Sequence, residues 1–194
     1  MKGYIKHIGI GLSVLCMVFL STSCEKDKLI DKPYQKSENQ ASVTTILSDD
    51  FESGLGKWVI WGPSPLWMWT IGSAYTIQPG AYSAYIFSGG SSRDSYSYLR
   101  LNQDISGYTN LSLSFYFYNR AYGNYGNVDY LYVEYSIDGT NYYQITSFTS
   151  EHSSWALVSD LSIPENTRYI RFAAYCREGG GIGLDNVVLK GMAR

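Results

Sequence analysis

The sequence predicts an all-β protein built as a sandwich of two antiparallel sheets, and three observations carry that reading. Apolar residues recur at every second position in several separate segments, the period that sends alternate side chains to opposite faces of a strand. The chain holds 19 tyrosines, 5 tryptophans and 19 glycines; aromatics suit half-buried pleated surfaces, and glycine suits the turns between them. No segment carries the apolar spacing of an amphipathic helix of three turns.

Strand patterns follow one another at Thr45 to Phe51, Met68 to Ile71, Ser83 to Phe87, Ser97 to Asp104 and Leu111 to Asn119. They continue at Val128 to Ile137, Tyr142 to Ser150, Trp155 to Leu161, Thr167 to Cys176 and Ile182 to Leu189. In Leu111 to Asn119 the inward set is Leu111, Leu113, Phe115 and Phe117. In Val128 to Ile137 it is Leu131, Val133, Tyr135 and Ile137. In Thr167 to Cys176 it is Ile170, Phe172, Ala174 and Cys176. Cys176 therefore reads as a small buried hydrophobe, not a reactive thiol. Asp138-Gly139 separates two strand patterns, and that dipeptide tolerates the positive φ angles of a tight hairpin turn. Trp58 and Trp69 stand at strand-like positions and are expected in the core.

The N-terminus reads as an address. Lys2 and Lys6 precede an apolar or small-residue run from Ile8 to Leu20, the pattern of a secretory signal. The run is shorter than the roughly 20 apolar residues a membrane-spanning helix needs. Ser21-Thr22-Ser23-Cys24 resembles the lipobox of bacterial lipoproteins, in the relaxed form familiar in Bacteroides-type bacteria. Leu20 stands one place further from the cysteine than the usual pattern has it. The resemblance implies cleavage before Cys24 and acylation of that residue. Glu25-Lys26-Asp27-Lys28 resembles the signal that sends such lipoproteins to the outer face of the outer membrane. The expected organisation is a signal peptide over 1–23, a polar tether over 24–44, and a folded domain over 45–191. Cys176 is the one cysteine within that domain, so no disulfide can form inside it.

Charge and composition exclude several classes. Between Thr45 and Lys190 there are 13 acids and 8 bases, a net of −5, and no basic stripe of the kind nucleic-acid binding requires. Once the signal is removed, His152 is the one histidine, too few for a histidine-rich zinc site or a confident nucleophile–histidine set. A glycoside hydrolase needs only two carboxylates. Glu134 and Asp129 share a strand but project to opposite faces, which disfavours a retaining pair. No glycine-rich loop precedes a helix to cradle phosphate.

The outward phases suggest a ligand surface. Tyr116 and Tyr118 point away from the core on one strand, and Tyr130, Tyr132 and Glu134 do so on another. If the two strands pair about the Asn119 to Asn127 connection, Tyr118 faces Tyr130 and Tyr116 faces Tyr132. Tyr169 and Arg171 would extend that ladder. Tyrosine offers a flat ring and a hydroxyl with little conformational entropy to lose, which suits the apolar faces and hydroxyl edges of sugars. The competing reading is that cross-strand tyrosine pairs stabilise the sheet without any ligand. Trp61 and Trp67 flank a Gly-Pro-Ser-Pro turn, either as an exposed aromatic pair or as a minicore under the loop. The 119–127 connection mixes Tyr, Asn and Gly, the composition of adaptable binding loops.

Four pieces together resemble the MAM-like, galactose-binding-like jelly roll of cleaved-adhesin-type surface proteins. They are Asp49-Asp50-Phe51-Glu52-Ser53-Gly54 with Trp58, the strand Leu111 to Tyr118, the hairpin Val133 to Tyr142, and Arg171-Phe172 with Leu184-Asp185-Asn186-Val187. The resemblance implies an extracellular binding module, and a structural calcium between the first and last strands held by Asp50, Glu52 and Asp185. Without the ion, Asp49-Asp50 reads as a strand-end turn and Glu52 as solvated. The expected partner is an extracellular glycan; the alternative is a surface protein met in adhesion or assembly.

Overall fold

The computed structural model describes residues 42–62, 68–73, 80–87, 92–122 and 127–194, with the backbone alone over 92–94. These residues belong to the compact unit Asn39–Arg194. The expected signal peptide, Cys24 and all but the last residues of the expected tether lie outside the described residues, as does Trp67.

Among the described residues, eleven strands form two antiparallel sheets: β1 Val43–Asp49, β2 Trp58–Trp61, β3 Thr70–Gly72, β4 Ser83–Ile86, β5 Ser92–Leu101, β6 Tyr108–Arg120, β7 Tyr130–Ser136, β8 Tyr143–Phe148, β9 His152–Ser162, β10 Tyr169–Arg177 and β11 Gly181–Ala193. One sheet runs β3-β4-β11-β6-β9, with β1 also pairing β11; the other runs β2-β5-β10-β7-β8. β4 meets the first part of β11 at Ile182 to Leu184, and β1 meets the remainder from Val187 to Met192. No helix occurs among the described residues. The all-β, two-sheet expectation is therefore what the structure shows.

The inner faces bury most of the residues that period two assigned to them; at the end of β7 the alternation breaks, Ser136 being buried while Tyr135 is half-buried and Ile137, beyond the strand, is exposed. Leu111, Leu113, Phe115 and Phe117 of β6 are buried, as are Leu131 and Val133 of β7 and Ile170, Phe172, Ala174 and Cys176 of β10. Phe115 bridges the layers, edge-on to Phe172 at 5.0 Å, and Phe172 lies 5.9 Å from Trp58. Trp58 and Trp69 are both core residues. Burial pushes the Cys176 thiol up to about 12, so it stays neutral and inert.

Buried polar groups fix the chain where it leaves β1. Asp49 is buried; its carboxylate accepts from Trp58 Nε1 at 2.6 Å, from Lys57 Nζ at 3.0 Å and from the Phe51 amide. This clamp lets Phe51 hold a positive φ of 59° while its ring is fully buried.

Connectivity departs from the sequence expectation. Among the described strands, only β3–β4 and β7–β8 are consecutive and paired. Elsewhere the chain crosses between sheets. β6 is flanked by β11 and β9, and β7 by β10 and β8, so β6 and β7 do not pair. Near their connection an isolated bridge joins Tyr122 to Asn127. Asn119 Nδ2 then donates to the carbonyls of Asp129, at 2.7 Å, and Ser150, tying the two layers at one end. The β7–β8 hairpin forms with Gly139 at φ 82°, but pairing begins at Tyr135 with Tyr143. The connection is thus longer than a two-residue turn. Asp138 caps it by accepting from the Thr140 and Asn141 amides, both at 2.8 Å. Those bonds hold its carboxyl below the usual range.

Candidate ligand-binding face

The outward side of the five-stranded sheet is organised in rungs. Alternation in β5 buries Ser97, Leu99 and Leu101 and turns Tyr96, Tyr98 and Arg100 outward. β10 buries Phe172 and Ala174 inward and turns Arg171, Ala173 and Tyr175 outward. The registers align these sets across the sheet. One rung reads Val59, Arg100, Arg171, Glu134, Gln144; the next reads Trp61, Tyr98, Ala173, Tyr132, Ser147; a third reads Tyr96, Tyr175, Tyr130. Ala173 is wholly buried although it faces outward, because tyrosines flank it on both neighbouring strands.

The rings on this face form one connected array. Trp61 stacks on Tyr98 at 4.9 Å, and Tyr98 stacks on Tyr96 at 6.0 Å. Tyr96 contacts Tyr175 at 4.8 Å and Tyr132 at 6.1 Å, and Tyr175 contacts Tyr130 at 6.0 Å. Tyr96 is well exposed. Burial raises the Tyr98 and Tyr132 phenols above their ordinary value, so at neutral pH both remain hydroxyl donors.

Beside the rings sits a groove of about 540 Å³ lined by Val59, Trp61, Arg100, Gly139, Thr140, Tyr142 and Arg171. Arg171 is its centre. Its Nε donates to Glu134 at 2.5 Å, and its guanidinium lies 3.6 Å from the Tyr142 ring centroid and 4.1 Å from that of Tyr98. Only about a seventh of either ionic side chain is exposed. Arg100 stacks on Tyr169 at 4.8 Å and approaches Trp61 at 5.9 Å. Gly139 is required on this wall twice over: its φ is positive, and a Cβ there would press on the Tyr169 ring at 3.0 Å. Such a surface offers flat apolar rings, fixed cations and phenolic hydroxyls side by side.

The sequence-expected residues divide between the two sheets. Trp61, Tyr130, Tyr132, Glu134, Tyr169 and Arg171 share the five-stranded face. Tyr116 and Tyr118 do not join them, which corrects the expected ladder. Tyr116 lies between Asp185 and Leu157, and Tyr118 pairs with Gly183 and approaches Trp155 at 5.8 Å, all on the six-stranded sheet. The parity was right but the pairing was not, because both edges of β6 are taken by other strands. Sequence reading missed Tyr96, Tyr98, Arg100, Tyr142 and Tyr175. The signal for three of them is the alternation Ser95 to Leu101, SYSYLRL; the expected strand start at Ser97 leaves out Tyr96, while Tyr98 and Arg100 lie inside the expected strand on its outward phase.

The remaining candidates take structural roles. Asp129 is buried and its Oδ1 accepts from the Arg177 and Gly179 amides at 2.6 and 3.0 Å. A Cβ at Gly179 would collide with Asp129. Asp129 and Glu134 therefore form no carboxylate pair. Asp50 is exposed and accepts from the Glu52 amide, while Glu52 Oε1 accepts from the Ala81 and Tyr82 amides at 2.7 and 2.9 Å. Asp185 is buried in β11 opposite Tyr116. Among the described residues no group of three or more His, Cys, Asp or Glu side chains is arranged to hold a metal. Asp50 makes the strand-end turn through its bond to the Glu52 amide.

Fold and face together define a jelly-roll β-sandwich module whose five-stranded sheet carries an aromatic outer surface. Its structural neighbours include the K1 cleaved adhesin domain of Lys-gingipain from Porphyromonas gingivalis W83, at TM-score 0.62 and 21% identity over 76% of this chain and 98% of that one. They also include a xylan-binding domain of carbohydrate-binding module family 22, at TM-score 0.53 and 15% identity over 77% and 95%. A third is TmCBM61 in complex with β-1,4-galactotriose, at TM-score 0.51 and 13% identity over 73% and 93%. At these identities the likeness shows the fold. No protein family matches the sequence, and no curated protein does.

Proposed function

We propose that this protein is a lipid-anchored, cell-surface module that binds glycan on the outer face of its five-stranded sheet. The observation that carries the reading is the unbroken array from Trp61 through Tyr98 and Tyr96 to Tyr132 and Tyr175, flanking a groove with Arg171 at its centre. Sugar rings stack on such surfaces through their C–H faces, and the phenols and guanidinium answer their hydroxyls. The galactotriose-bound and xylan-binding neighbours share the sandwich, which supports the same class of ligand here. The lipid anchor rests on the 1–28 segment alone, with Cys24 as the acylated residue; one acyl chain gives only marginal membrane binding, so two or more are expected.

The test is a titration of the full chain against a panel of neutral plant and bacterial polysaccharides. Binding that weakens about tenfold or more, about 1.4 kcal/mol, in Tyr98→Ala, but stays within about twofold in Tyr116→Ala, is the expected result. No binding by any glycan, with a protein partner captured on the same face instead, would favour the adhesion reading that the cleaved-adhesin likeness supports. Incorporation of labelled palmitate that vanishes in Cys24→Ser tests the anchor.

A further inference from the structure

Two guanidiniums stand directly opposite each other in the charged rung. Arg100 of β5 pairs in register with Arg171 of β10, a juxtaposition of like charges that costs stability unless something compensates it. Glu134 compensates Arg171. Arg168, at the start of the same segment, is held by Asp104. Arg100 has no carboxylate partner among the described residues, and its Nε is buried without an acceptor. Its guanidinium lies over the rings of Trp61, at 5.9 Å, and Tyr169, at 4.8 Å. The Tyr142 hydroxyl on the same groove is likewise buried without a partner. The rung therefore carries one uncompensated positive charge, in a domain whose net charge from Thr45 to Lys190 is −5.

From this charge balance, and resting on the glycan reading above, we infer that the groove takes an acidic sugar: a uronic acid residue whose carboxylate completes the Arg100–Arg171 rung. A uronic acid carries its carboxylate directly on the ring, so the group that stacks and the group that pairs are rigidly joined. Trp61 and Arg100 line one groove, which supplies the stacking surface and the cation within the span of one sugar. A guanidinium's planar fork matches a carboxylate better than an ammonium does, and partial burial lessens the screening that weakens exposed ion pairs. Neutral sugars would leave the rung's excess charge unmet.

The experiment compares two ligands with one backbone. The full chain is titrated with polygalacturonate and with its fully methyl-esterified form, in low and high salt, alongside dextran sulfate and dextran. The expected result is a preference of about tenfold or more for the free acid, shrinking as salt rises. In Arg100→Gln the ratio falls to about twofold or less, while Arg100→Lys, which keeps the charge, retains part of it. Tyr116→Ala, on the other sheet, keeps the full ratio. Equal affinity for the acid and its ester overturns the inference and leaves the glycan reading standing. So does a ratio unchanged in Arg100→Gln, or discrimination between dextran sulfate and dextran without discrimination within the galacturonate pair. Failure to bind any of the four, together with failure to bind any glycan of the neutral panel, overturns both.

Discussion

The two outward faces of this sandwich obey the same parity and yet are built differently. On the five-stranded sheet, aromatic rungs lie next to a charged one, and rings from four strands touch in a continuous array. On the six-stranded sheet, the rungs through Tyr116 and Tyr118 run into Asp185 and Gly183, and Tyr118 approaches Trp155 at 5.8 Å. Tyrosines turned outward are thus not by themselves a site. What distinguishes the first face is that neighbouring strands place rings and guanidiniums in the same register, so that single residues sum to a surface with a groove beside it.

That contrast can be broken at three levels. The largest effect belongs to the core that both faces share. Phe172→Ala removes the ring between Phe115 and Trp58 and should cost about 3–5 kcal/mol. Urea denaturation followed from both faces should then show one common transition at lower denaturant; separate transitions would mean that the sheets are not one cooperative unit. A smaller and face-specific effect is expected at the ion pair. Glu134→Ala leaves the mostly buried Arg171 guanidinium unpaired and should cost about 1–3 kcal/mol. Leu157→Ser on the opposite face, at a residue 55% exposed, should change the melting free energy by about 0.5 kcal/mol or less. Equal losses at the two positions would erase the distinction between the faces.

The smallest perturbation tests the inner phase beneath the tyrosines. The Cys176 pKa is raised from 9.0 to about 12 in the folded protein, first by burial and then by Asp129. Its neutral form is therefore favoured by folding. That contribution is complete below about pH 9 and is lost as pH climbs toward 12, where the folded thiol would also ionise. At pH 9, alkylation at Cys176, read by mass spectrometry of its peptide, should be at least about tenfold slower in the native protein than in urea. Equal rates would mean that the inner phase of β10 is open to solvent.

Much of this was legible in the chain. The inward residues of β6 and β10 are those that alternation assigned, as are Leu131 and Val133 of β7, and the Asp138-Gly139 connection joins paired strands. Residue parity is a local property, set by the pleat and readable wherever hydrophobic and polar positions alternate. The chemistry of the candidate face was half legible: Tyr130, Tyr132 and Arg171 are read from parity, whereas Tyr96 is lost with a strand boundary placed at Ser97 and Tyr98, inside the expected strand, is passed over.

By itself, then, the sequence determined which side of each strand is wet and which is dry, and with that the sandwich. Only the tertiary structure decided which strands lie side by side. Consecutive strands pair in most proteins, but here β6 and β7 leave each other for separate sheets, because β11 and β10, far along the chain, claim their edges. Strand partnership is fixed by the summed burial of whole faces and the closure of long connections, quantities that no local pattern holds. The meeting of Trp61, Tyr98, Arg100 and Arg171, drawn from three strands, is a consequence of that global choice.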